Sequence, residues 1–305
     1  MRRSARRCAS GMNACAMHVA EELRVALPHA TLAARRWGDP KLPPLLALHG
    51  WLDNAGSFEA LAPLLATRWQ VVALDFAGHG RSTHLPAGTW YHYVDYFDEL
   101  RAVFDHFGWA RADLLGHSLG GTLASLFAAL YPERVGELML IEALGPLTAG
   151  IDETLARLRR ALDEREAHAR RRPLRVFATL DQAVAARMRA NGLSHAAARP
   201  IVARGVTEVE GGYAWSSDPR LTLASPQRFS EQQVLAMLGG IHARSLLVLA
   251  DPATSYLPVA MIDARAARVA DIRIVRLSGH HHLHLEDAQA VASEILAFAD
   301  AAQGP

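Results

Sequence analysis

The chain has 305 residues and a formal net charge of +1; half of its residues are hydrophobic and 21% are charged. This length suits one large α/β domain carrying a smaller insertion, and the near-neutral balance gives no overall electrostatic basis for binding nucleic acid. No stretch approaches the ~18 consecutive apolar residues of a membrane-spanning helix, so no membrane span is expected.

The N-terminal segment holds Arg2, Arg3, Arg6 and Arg7, and "HARRRPLR" holds four more arginines; both read as a tail or a solvated face. Both cysteines, Cys8 and Cys15, lie in that N-terminal segment. The rest of the chain therefore has neither a disulfide framework nor a cysteine nucleophile, which fits a reducing, cytoplasmic setting. "NACAMHVAEELRV" is too short and too polar for a signal-peptide core, because His18, Glu21 and Glu22 interrupt it. Residues 1–16 read as a disordered extension, with Met17 as the effective start.

From Leu23 the pattern becomes regular. "ELRVAL" and "TLAARRWG" read as a strand hairpin, and "PPLLALHG" as a buried strand stopped by a tight turn. "SFEALAPLLA" has helical spacing with Ser57 as N-cap, "WQVVALDFAGHG" is a second buried strand, and "YVDYFDELRAVFDHFG" is an amphipathic helix closed by Gly108. "ADLLGHS", "LGGTLASLFAALYP" and "VGELMLIEALG" then give strand, helix, strand. Residues from Pro146 to Gly240 turn rich in Ala, Arg and Leu at helical spacing, broken by "GGYAWSSDPRL". "SLLVLAD" and "IRIVRLSG" restore buried strands, and "DAQAVASEILAFAD" closes the chain as a helix. Alternating strands and helices predict a mostly parallel sheet with helices on both faces. The predicted core is 17–145 with 241–305, and 146–240 is a helical insertion over the strand ends, where ligands bind in open α/β sheets.

The most specific signal is "GHSLGG", Gly116 to Gly121. It matches G-x-S-x-G, follows a strand and opens a helix, the context of a nucleophile elbow. Such a turn lifts the Ser118 hydroxyl above the sheet, facing the free N–H groups and positive dipole end of the helix. The oxyanion donors are predicted to be the N–H of Trp51, after the His49-Gly50 strand end, and the N–H of Leu119. Asp53 and Asn54 in the same loop read either as pocket lining or as turn residues.

Four motifs, "LALHGW", "DFAGHGRS", "LLGHSLGG" and "GHHHLHLED", have the order and spacing of the α/β-hydrolase fold, and the chain resembles that superfamily from about Leu23 to Ala302. "HGWLDNAGSF", the segment Tyr91–Leu100 and "WSSDPRL" resemble its serine hydrolase-like branch. The resemblance implies a Ser–acid–His triad in that chain order, a helical cap and no cofactor. In most of the superfamily the acid follows the strand after the cap. Here the usual position falls at Ala253, and Asp251 lies two residues early.

The alternative acid is Glu142, 24 residues past Ser118 at the end of an apolar run, where a carboxylate is costly unless paired. Its strand and spacing resemble the acid of one branch of haloalkane dehalogenases. Glu142 is favoured over Asp251. For the base, the family's H-x-x-H-x-E pattern fits His281, His284 and Glu286, so His281 is chosen and His280 is the alternative. His282 and His284 read as packing or supporting residues. No metal site is assigned, since the run lacks ligands from other elements.

A serine nucleophile argues against dehalogenase and epoxide hydrolase chemistry, which in this fold uses an aspartate. The predicted function is hydrolysis of a small to medium apolar ester or thioester, a small-molecule acyl substrate, through an acyl-enzyme. A carbon–carbon bond hydrolase of the same fold and a non-catalytic ligand-binding protein are the alternatives. A monomer or homodimer is expected.

Overall fold

The computed structural model describes residues 20–169 and 175–301. The expected extension at 1–16, with Cys8 and Cys15, lies outside them. Glu21–Ala26 (β1) folds back on Thr31–Trp37 (β2) as an antiparallel hairpin. The apolar runs then form Pro44–Leu48 (β3), Gln70–Leu74 (β4), Ala112–His117 (β5) and Val135–Ile141 (β6). Three helices join them: Ala62–Leu65 (α1), Asp95–His106 (α2) and Leu119–Leu130 (α3).

The segment after β6 carries helices Thr154–Ala169 (α4), Leu180–Asn191 (α5), His195–Gly205 (α6) and Glu231–Leu238 (α7). Between α6 and α7 it also folds a small hairpin, Val206–Val209 (β7) against Gly212–Trp215 (β8). The insertion is thus not purely helical. β-Branched and aromatic residues flank a Glu210-Gly211 turn, where Gly211 and the first β8 residue, Gly212, take positive φ, +85° and +137°. The sheet resumes with Arg244–Asp251 (β9), Val259–Ala266 (α8) and Ile272–Ser278 (β10), and the chain ends in Leu283–Glu286 (α9) and Ala288–Asp300 (α10).

Eight strands form one sheet in the order β1-β2-β4-β3-β5-β6-β9-β10. All neighbours from β4 to β10 pair in parallel, as predicted. Side-chain alternation sorts the apolar residues onto two faces. Leu46, Leu48, Leu74 and Leu114 pack with Phe104 and Phe127 on one side. Leu45, Ala47, Met139 and Ile141 pack with Ile295 and Phe298 on the other. The insertion has its own cluster around Phe177, Val184 and Ile201, joined by Leu285 of α9.

Two arginines of the insertion tie it to the loops beyond the strand ends. Arg204 donates through Nε to both Asp75 carboxylate oxygens at 3.0 and 2.9 Å, and through Nη1 to Glu22 at 2.8 and 2.9 Å. Arg187 pairs with Asp53 and donates to the Leu52 carbonyl. The loop after β3 also corrects one expectation. Its first turn is a short 3-10 helix, Ala55–Phe58, capped by Asn54 rather than Ser57. Asn54 lies in the extended region and accepts from Gly56 N–H, whereas Ser57 is fully buried inside the turn.

Candidate active site

β5 runs apolar to His117 and the chain then turns at Ser118, with φ +49° and ψ −117°. A non-glycine residue held there stores about 1–3 kcal/mol of strain, which the surrounding bonds must fix. They are present: Ser118 N–H donates to the Ile141 carbonyl, and its own carbonyl accepts from Thr122 N–H. The elbow sits hard against the end of β3. A Cβ on Gly120 would lie 2.0 Å from the Leu48 carbonyl oxygen, so only glycine fits, and Gly120 N–H donates to the His49 carbonyl.

That contact brings the residues after β3 beside the elbow. His49 is locked by donating from Nδ1 to the Gly50 carbonyl and accepting at Nε2 from Phe76 N–H. Leu119 is the first residue of α3, so its N–H is one of the helix's unpaired donors. Trp51 is half exposed and its indole N–H donates to the Leu221 carbonyl, linking this loop to the insertion. Asp53 and Asn54 take both roles weighed from sequence: each is buried in turn structure and each lines the cavity described below.

Glu142 lies just past β6, also at positive φ, +53°, and is nearly fully buried. Its Oε1 accepts from Ala250 N–H at 2.6 Å, and its Oε2 from Thr254 Oγ1 at 3.1 Å and from His281 Nδ1 at 3.4 Å. Burial alone would raise its pKa, but these hydrogen bonds outweigh it and hold the carboxyl below the ordinary glutamate value. Thr254 comes from the loop where the superfamily acid usually stands, so that loop supports the Glu142 carboxylate. Asp251 ends β9 with an exposed side chain that makes no hydrogen bond among the described residues.

The histidine run separates by environment. His281 meets Glu142 and stands edge-on to Tyr256 at 4.9 Å between centroids. His280 instead turns into its own loop, where its Nδ1 accepts from His282 N–H at 3.3 Å. His284 is buried against His117, 4.0 Å between centroids, and against Phe58 at 6.0 Å. The run does not stand alone. His117, the middle residue of "GHS", reaches it from β5 and donates from Nε2 to the His281 carbonyl at 2.9 Å. The expectation that no other element contributes a ligand to this cluster is thereby corrected, because the side chain at the end of β5 points toward the C-terminal loop.

Burial pushes His49 and His282 down to about 4. A folded-state histidine pKa below the ordinary ~6.5 means that the unfolded chain binds more protons, so stability falls as pH drops from 6.5 toward 4. At pH 5 each of the two histidines is expected to remove about 2 kcal/mol relative to pH 7. Urea unfolding at the two pH values tests this: His282→Gln should lose about 2 kcal/mol less than the wild type. An equal loss would refute it.

A cavity of about 800 Å³ lies between this loop system and the insertion. Leu52, Phe177, Ala186, Ile201, Trp215 and Pro219 give it mainly apolar walls, with Arg175, Arg187 and His168 as basic members. Ser118 and His281 are not among its walls, while Leu52, Asp53 and Asn54 of the loop after β3 are.

A parallel sheet whose central strand delivers a strained serine to a helix N-terminus, with a carboxylate and a histidine following on later strand ends, defines an α/β hydrolase. The sequence profile of the α/β hydrolase fold matches residues 43–236. Over 288 residues the chain is 34% identical to a serine hydrolase-like protein of Danio rerio, covering 92% of this chain and 88% of that one. It is 33% identical over 295 residues to human serine hydrolase-like protein 2, covering 91% and 93%. The chain belongs to the α/β-hydrolase fold family, in its serine hydrolase-like branch. The crystal structure of a hypothetical protein from Pseudomonas aeruginosa PAO1 superposes with a TM-score of 0.86 at 42% identity, covering 91% of this chain and 98% of that one. The thioesterase domain from the curacin biosynthetic pathway gives 0.79 at 28% identity, covering 91% and 99%. Among the described residues, no helix is long and apolar enough to cross a membrane.

Proposed function

We propose that the protein is a serine hydrolase that cleaves a small to medium, largely apolar ester or thioester through an acyl-enzyme. The observation that carries this reading is the buried, hydrogen-bonded Glu142 carboxylate set against His281 Nδ1, on the same strand-end surface as the strained Ser118. With Nδ1–H directed at Glu142, the lone pair of His281 is on Nε2, free to take the Ser118 proton. Ser118 Oγ then attacks the acyl carbon, and the N–H groups of Trp51 and Leu119 receive the oxyanion. His281 returns the proton to the leaving alcohol or thiol, and water, deprotonated by the same imidazole, releases the acid. The 3.4 Å contact is long, as such bonds commonly are without substrate. No cofactor or metal takes part in these steps.

In this reading 146–240 acts as a cap, and the cavity beneath it takes the acyl chain. A series of p-nitrophenyl esters and acyl thioesters of increasing chain length tests it. Each added methylene buried in the apolar walls contributes about 0.8 kcal/mol, so kcat/KM is expected to rise about fourfold per methylene until the cavity is filled, then fall. A profile flat from acetyl to dodecanoyl would contradict an apolar acyl site.

A further inference from the structure

Behind His281, three buried side chains outside the proposed triad, His117, His282 and Asp53, face one another. Since His117 Nε2 donates to the His281 carbonyl, the neutral ring carries its lone pair on Nδ1, 3.9 Å from Asp53 Oδ2. His282 Nε2 is 4.0 Å from that same oxygen. His117 Nδ1, His282 Nδ1 and Asp53 Oδ2 all lack a hydrogen-bond partner among the described residues, and all three side chains are buried. The other Asp53 oxygen is taken by Arg187. An unpaired carboxylate oxygen facing the His117 Nδ1 lone pair away from water is costly, and a positive charge would relieve it.

We propose that His117, His282 and Asp53 form a binding site for a divalent transition-metal ion, Zn²⁺ by preference, and that the bound ion inhibits hydrolysis by engaging the neighbouring imidazole of His281. Ligand nitrogens of His117, His281 and His282 lie within 4.8 Å of one another. Imidazole and carboxylate donors suit zinc, whereas calcium and magnesium take oxygen ligands. Tetrahedral zinc with bonds of 2.0–2.1 Å sets its donors about 3.3 Å apart. The observed 3.9 and 4.0 Å therefore close by about 0.6 Å on binding, within the reach of side-chain rotation. Residue 50 is glycine beside this site: a Cβ there would lie 2.9 Å from His117 Nδ1 and 3.1 Å from Asp53 Oδ2, so a side chain would crowd both donors.

Binding itself does not depend on the enzymatic reading, while the inhibition rests on it, so the two are measured apart. Metal-stripped, full-length Ser118→Ala protein is dialysed against ZnCl₂ and its bound zinc quantified, with Co²⁺ absorption as a second readout of the donor set. One zinc per chain is expected, weakened at least about tenfold by His282→Gln or by Asp53→Asn and unchanged by His280→Gln. No bound zinc, equal binding by His282→Gln and Asp53→Asn, or loss in His280→Gln would overturn the site. In wild type, ester turnover should fall over the same zinc range and return with a chelator; zinc binding with turnover unaltered would overturn the inhibition. Wild type that binds zinc but hydrolyses no ester would count against the proposed function and leave the site standing.

Discussion

Ser118→Ala is expected to lower kcat on a p-nitrophenyl ester by at least about 10⁴-fold and to abolish labelling by a fluorophosphonate probe, with little change in KM. The size of the effect follows from what the side chain alone supplies. Alanine keeps the turn, because the Ser118 backbone bonds to Ile141 and Thr122 remain. The donors proposed for the oxyanion and the apolar cavity also remain, so substrate binding is retained while the atom that forms the acyl bond is gone. Residual activity comes from those donors and from binding. Thermal unfolding of the variant should match or exceed that of the wild type, since strain at φ +49° is not made worse by a smaller side chain. Turnover within tenfold of wild type would remove Ser118 from the chemistry.

The second large effect separates two carboxylates. Glu142→Gln is expected to lower kcat by about 10³–10⁴-fold, while Asp251→Asn stays within a factor of a few. Glutamine preserves the shape but has one acceptor oxygen: with that oxygen on Ala250 N–H, its NH2 faces Thr254 and His281 Nδ1 and offers neither an acceptor nor a negative charge. The imidazolium formed when Ser118 loses its proton is then unsupported. The pH dependence gives an independent check. Because the folded-state pKa of Glu142 lies below the ordinary value, its ionised form stabilises the fold above about pH 4.5, and that contribution is lost as pH falls through the lower folded value. Glu142→Gln should remove this acid-side slope in urea unfolding. If Asp251→Asn were the crippled variant, the acid assignment would be wrong.

The parts of this arrangement that were legible in the sequence are those encoded over a few residues. A serine between glycines after an apolar run announces the elbow, and a lone glutamate closing "LMLIE" stands out because a carboxylate there needs a partner. The family's H-x-x-H-x-E pattern points to His281 over His280, and His281 is the one whose Nδ1 meets Glu142. What was hidden depends on pairs far apart in the chain. Arg204 meets Asp75 across 129 residues and Arg187 meets Asp53 across 134, and nothing in "AARMRANG" or "IVARGV" marks one arginine as buried. His117 reads as the variable residue of a motif, and only the sheet's geometry shows that its side chain reaches the C-terminal histidines. Asn54 displaced Ser57 as cap because a backbone angle, not residue preference, decided which side chain could reach Gly56. The β7–β8 hairpin was masked by its helical surroundings.

The central claim is that a covalent acyl-serine forms at residue 118. The direct measurement is intact-protein and peptide mass spectrometry on wild-type protein quenched in acid during turnover of a slowly deacylated p-nitrophenyl ester. A mass increase equal to one acyl group, mapped to the peptide holding Ser118 and absent from Ser118→Ala, is the predicted result. Turnover with no adduct, or an adduct on another residue that persists in Ser118→Ala, would contradict it.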